Sequence, residues 1–123
     1  MSVDIDPAWL GDYRAGDAWE GGARRVRLWR DAEHTLRFAY NYESRGNHGY
    51  SLASESGTVI DVSATAITVE VTSSSSSAWE DLFKEDFNHQ TSTPRRQIIE
   101  IERIENGRPV LVYSAKLRWV ETR

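Results

Sequence analysis

The chain carries three histidines, His34, His48 and His89, and no cysteine. The missing thiol excludes disulfides, thiolate metal sites, iron–sulfur clusters and cysteine nucleophiles. The histidines are too widely spaced to form a local metal motif, so no metal and no other cofactor is expected. Glu85 and His89 stand four residues apart on a helix-like segment and read as a solvated pair. His48, between Asn47 and Gly49 in a turn, is the candidate catalytic residue, because a loop imidazole exchanges protons near neutral pH.

Arginine supplies the second kind of chemistry. Arg24, Arg25, Arg27, Arg30 and Arg37 fall in one predicted hairpin, where Arg25 and Arg27 alternate in phase with Trp29. That face is either a patch for a carboxylate or phosphate, which guanidinium groups hold bidentately, or an outer surface neutralised by Glu20, Glu33 and Glu43. Arg30 falls in phase with Val26 and Leu28. If that phase is interior, it is a buried cation that needs a partner or a bound anion. Glu80, Asp81, Glu85 and Asp86 read as the wet side of an amphipathic helix, and Glu100 and Glu102 as outward residues facing Lys116 or Arg118 across a hairpin.

Aromatic residues complete the candidate ligand-binding set: Phe38, Tyr40, Tyr42, Tyr113 and Trp119 on the apolar phases of their strands, with Trp79 and Arg30. Tyrosine offers an apolar ring with a hydroxyl handle, which suits an amphipathic small molecule, though aromatics also serve to fill a small barrel.

Holding these side chains requires a sheet. Period-two alternation, the mark of half-buried antiparallel strands, recurs at 24–30, 35–43, 49–54, 57–63, 65–72, 96–104 and 109–120. The last stretch sets Leu111, Tyr113, Ala115, Leu117 and Trp119 against Ser114, Lys116 and Arg118. Asn106-Gly107 predicts a tight hairpin between the final two. Asp6-Pro7-Ala8-Trp9-Leu10-Gly11 predicts one helical turn, capped by Asp6 and ended by Gly11. A short helix is expected over 78–88, where Ser77 and Glu80 have capping-box spacing and Trp79, Phe83 and Phe87 recur every four residues; the competing reading extends the preceding strand through Ser73–Trp79.

With 123 residues, 39 % hydrophobic and 28 % charged, the chain is expected to form a single domain over 1–123. A net charge of -4 argues against nonspecific nucleic-acid binding, and no apolar run reaches the length of a membrane span. The start of the chain lacks a signal-peptide pattern, which with the absent cysteines predicts a cytoplasmic protein. The expected fold is all-β: a small antiparallel up-and-down barrel of about 7–8 strands with one short helix, since closure removes exposed edges. The alternative is an α+β curved sheet wrapped around the helix.

Leu10-Gly11-Asp12-Tyr13, following the helical turn, resembles the start of calycin-superfamily barrels, the lipocalins and fatty-acid-binding proteins, whose first strand opens with Gly-x-Trp. Tyr13 stands at the Trp position, Trp9 precedes the glycine, and Arg118 stands where the family often packs an arginine over the first-strand aromatic. The chain departs from the family in its shortness, its lack of cysteine, its helix before the last hairpin, and the absence of the late-strand histidine of haem-binding barrels related to nitrobindin. The resemblance implies a ligand-holding barrel and does not select the ligand. The function expected is therefore non-enzymatic binding of a small hydrophobic or amphipathic molecule inside a lipocalin-like barrel. The alternatives are a small barrel enzyme of isomerase, cyclase or lyase type using His48, a buried Tyr or Arg30, and an interaction module presenting the Arg-rich hairpin to an acidic partner or forming a homodimer.

Overall fold

Asp6 caps the first element as its position predicts: its carboxylate accepts from the Ala8 amide at 2.9 Å, and Pro7–Trp9 form a single 3-10 turn. A computed structural model describes the chain over residues 3–80 and 85–121, with backbone alone at 80 and 85–89. Among the described residues nine strands follow: β1 (Gly11–Asp17), β2 (Gly22–Arg30), β3 (Leu36–Gly46), β4 (Gly49–Val62), β5 (Ala66–Glu80), β6 (Glu85–Thr91), β7 (Arg95–Glu105), β8 (Arg108–Val112) and β9 (Lys116–Val120). All pairings are antiparallel, and β1 meets β9, so β1-β2-β3-β4-β5-β7-β8-β9 close into an eight-stranded up-and-down barrel. β6 lies outside the barrel: it pairs with β5 from Ser74 to Glu80, while β7 pairs with β5 from Ala66 to Val71. Since β8 and β9 have only 5 residues each against 15 in β5, β3–β6 rise as a wall over one side of the barrel mouth.

The inward phases fill the barrel below that mouth. Tyr13, Leu28, Phe38, Ile67, Ile99 and Leu111 are all 0 % exposed, so this level is a packed core. Asn106 (φ 53) and Gly107 (φ 78) make the predicted turn between β7 and β8, where two left-handed residues match the strand twist. No α-helix occurs among the described residues, and none of the helices there is long and apolar enough to cross a membrane.

Three local expectations are corrected. The helix over 78–88 is replaced by the end of β5 and the start of β6; Asp81, Leu82, Phe83 and Lys84 lie outside the described residues. A four-residue spacing is also an even spacing, so it reads equally as one face of a strand, and the serines favour the ladder: Ser73–Trp79 pair with β4, and the Ser54 and Ser75 hydroxyls meet at 2.8 Å. The stretch 109–120 is not one strand. It folds back at Tyr113–Ala115, where the Tyr113 amide donates to the Ala115 carbonyl at 2.9 Å and Ser114 takes φ 64. Leu111 then faces Leu117, and this turn of odd length preserves the alternation that hides it. The two short strands expected at 49–54 and 57–63 are a single β4, with register shifts beside Gly57 and Val59.

Tyr13 shows how the strand pattern, the cap and stability connect. Its hydroxyl donates to the Trp9 carbonyl at 2.5 Å, and burial raises the phenol above its ordinary 10.0, with Arg108 opposing. The unfolded chain therefore loses this proton first as pH rises. Stability is unaffected below about pH 10 and falls progressively above it. Thermal melts between about pH 9 and about pH 12 should fall more steeply for the wild-type protein than for Tyr13→Phe.

Candidate functional site

At the wall end of the barrel Tyr40 and Tyr113 come together, and Tyr42 follows Tyr40 on the inward phase of β3. Tyr113, from the β8–β9 turn, reaches across the interior and packs edge-on against Phe38 (5.9 Å between centroids) and Tyr40 (5.0 Å). Its hydroxyl donates to Glu55 Oε1 at 2.7 Å, and Glu55 also forms an ion pair with Arg95. Burial pushes the Tyr113 phenol up, with Arg95 working against that shift. The bridge thus roofs the packed core, with Phe38 sealed beneath it.

Above this level stands Arg24, paired with Tyr42 in the β2–β3 register and so directed inward. Its guanidinium lies 4.7 Å from the centre of the Tyr42 ring, and its Nε is cut off from solvent with no hydrogen-bond partner. Tyr42 leans onto Gly22, where an added Cβ would meet ring atoms at 2.6–2.9 Å, and Gly22 has φ +103. A side chain there is both strained and in the ring's place. Gly22→Ala should cost about 2 kcal/mol, read by chemical denaturation, and disturb the tyrosine. On its other side Tyr42 borders a groove of about 500 Å³ across the wall, with Leu52, Ala53, Ser76 and Gln90. That volume falls within the range of small-molecule sites.

The remaining candidates lie elsewhere. Arg30 does face inward, but at the opposite end, where it donates to the carbonyls of His34 (3.0 Å) and Val3 (2.6 Å) and ties down the chain start. Trp119 is also at that end: its indole donates to Leu10 at 3.1 Å and lies 3.6 Å beneath the Arg108 guanidinium. Arg118, expected over the first-strand aromatic, is instead solvent-exposed and faces Glu105 at 3.4 Å; Arg108, stacked on Trp119, is the arginine whose charge acts on Tyr13. Trp79 lies opposite Tyr50 on the wall and shares a groove of about 390 Å³ with His48 and Arg45. His89 and the acidic residues Glu80, Glu85 and Asp86 lie where only backbone is described.

Several outer arginines are paired with acids, though largely not with the expected ones. Arg25 pairs with Asp12 (2.8 Å), Arg37 with Asp31 (2.8 Å) and Arg45 with Glu43 (2.7 Å), while Arg27 covers the Trp29 ring. Lys116 meets Glu102 at 3.0 Å, one of the cross-hairpin pairs expected. Asp31 is held below its ordinary carboxylate value, first by its hydrogen bond from Arg37. Arg24, Glu55 and Arg95 were missed as site residues. Arg24 had the same signal as Arg30, its phase with Val26 and Leu28; Glu55 shares the odd phase of Val59 on β4. Comparison of the chain with models of protein families, with curated proteins and with solved structures gives no match.

Proposed function

We propose that the protein is a cytoplasmic, calycin-like barrel that binds one small amphipathic molecule at its wall end, as a holder and not a catalyst. The observation that carries this reading is the division of the interior into two levels. The lower level is packed solid, whereas the upper one combines Tyr40, Tyr42 and Tyr113 with inward charge from Arg24, Glu55 and Arg95. The Arg24 guanidinium, stacked on Tyr42, offers its outer N–H groups to a polar group of the ligand. The tyrosine faces and the groove bordered by Tyr42 and Ala53 take its apolar part.

Native mass spectrometry of protein purified gently from its own host tests the reading. An adduct of a few hundred daltons that is lost on denaturation supports it, and Tyr42→Ala should carry markedly less of that adduct. A bare mass in the wild-type protein, together with no Tyr42-dependent fluorescence change on adding anilinonaphthalenesulfonate, would sink it.

A further inference from the structure

A second arrangement lies on the outside of the barrel. The registers of β2, β1 and β9 set Arg25, Arg14 and Arg118 directly opposite one another, and Asn41 continues the row on β3. Directly opposed residues on neighbouring antiparallel strands share a face with Cβ atoms about 4.5–5.5 Å apart, and like charges there repel. The chain as a whole is acidic, with a net charge of -4, yet few carboxylates answer this row. Asp12, 3 % exposed, accepts from Arg25 Nε at 3.0 Å and Nη2 at 2.8 Å. Glu105 faces Arg118 at 3.4 Å in solvent. Arg14 has neither an ion pair nor a side-chain hydrogen bond among the described residues.

Arg14, Arg25 and Asn41 line a groove of about 480 Å³ beside the β1–β2 turn, floored by Gly16 and Ala23 and bordered by Arg24. Two carboxylates also line it: Glu43 is paired with Arg45, while Asp17, at the β1–β2 turn, accepts from the Trp19 amide at 2.8 Å and keeps its charge, so the anion is placed at the Arg14–Arg25 end. Asp12 answers Arg25 and Glu105 answers Arg118, so the repulsion between the opposed guanidiniums falls on Arg14, which no described carboxylate holds.

We propose that this groove is an anion site for a phosphomonoester, distinct from the barrel mouth. One guanidinium satisfies a carboxylate, with its two oxygens and single charge. The row offers Arg14 free and Arg25 and Arg118 with donors to spare, plus the Asn41 amide, which matches a dianion with three terminal oxygens. The phosphate sits between Arg14 and Arg25, and the rest of the ligand lies along the groove toward Asn41.

The test adds inorganic phosphate, methyl phosphate or acetate to the full chain at matched ionic strength, following melting temperature and amide chemical shifts. Phosphate and methyl phosphate should give a saturable rise in melting temperature and shift the amides of 14–16 and 23–25, while acetate does neither. Arg14→Gln should weaken phosphate binding at least tenfold, yet leave the melting temperature of the anion-free protein unchanged or raised, because an opposed like charge is gone. Tyr42→Ala should leave the phosphate response intact, which separates this site from the ligand at the mouth. An acetate response equal to that of phosphate would reduce the effect to an adventitious ion only. A large loss of anion-free stability in Arg14→Gln would make the arginine structural. Either result overturns the site.

Discussion

Gly57→Ala lowers the free energy of unfolding by about 3 kcal/mol. Gly57 lies buried on β4 between Phe38 and Val71, and a Cβ there would stand 1.8 Å from the Glu70 carbonyl oxygen and 2.9 Å from its carbon. Both atoms are backbone, so no rotamer change relieves the clash and the two strands must separate. The position is a register shift: Gly57 faces Val71 while Ser56 faces Ser73, which leaves Thr72 unpaired with β4. That extra residue switches the inward phase of β5 from Val69 and Val71 to Ser74 and Ser76, and so turns the wall relative to the barrel. Urea denaturation of Gly57→Ala beside the exposed neighbour Ser56→Ala provides the measurement. The control should stay within about 0.5 kcal/mol of wild type. Equal stability of the two variants would mean that β4 and β5 do not approach closely here.

The bulge also explains why the sequence shows the barrel better than its mouth. Alternation at Val26–Leu28, Leu36–Tyr42 and Ile67–Val71 reports burial on one face, and each of these runs is inward in the structure. Closure and strand order follow, because short antiparallel strands with tight turns need few arrangements to hide their edges. Alternation records only parity, however. A turn of odd length at Tyr113–Ala115 preserves it, so β8 and β9 read as one strand. An extra residue at Thr72 reverses it, and a run of serines carries no contrast from which to read the reversal. Phe87 pairs with Ala78 and not with Trp79, so residues that share a stripe on a helix separate when the segment becomes a hairpin. Site residues follow the same logic. Tyr40 and Tyr42 were legible because the phase of β3 is unbroken to the mouth, whereas Glu55 stands beyond Gly57 among small polar residues, where no apolar neighbour marks the inside.

Tyr113→Ala should cost about 3 kcal/mol and Tyr113→Phe about 1 kcal/mol, and the gap between them measures the roof over the core. The ring is only half-buried, which holds the alanine value at the low end for aromatic truncation, but it covers Phe38 and Tyr40 from above. Its removal opens packed side chains to water and strips Glu55 of one of its partners. Phenylalanine keeps both ring contacts and deletes only the hydroxyl that Glu55 accepts at 2.7 Å; the carboxylate keeps Arg95, so no charge is left unpaired. Function should divide differently from stability. If Tyr113 walls the ligand site with its ring, the phenylalanine variant retains the native adduct and the alanine variant loses it beyond what its lower stability explains. Comparing adduct occupancy at a temperature where both variants remain folded separates the two effects. Full retention by the alanine variant would take the ligand off the Tyr113 ring and confine it to the groove between Tyr42 and Gln90. Loss in both variants would make the hydroxyl, held in place by Glu55, the group that the ligand recognises.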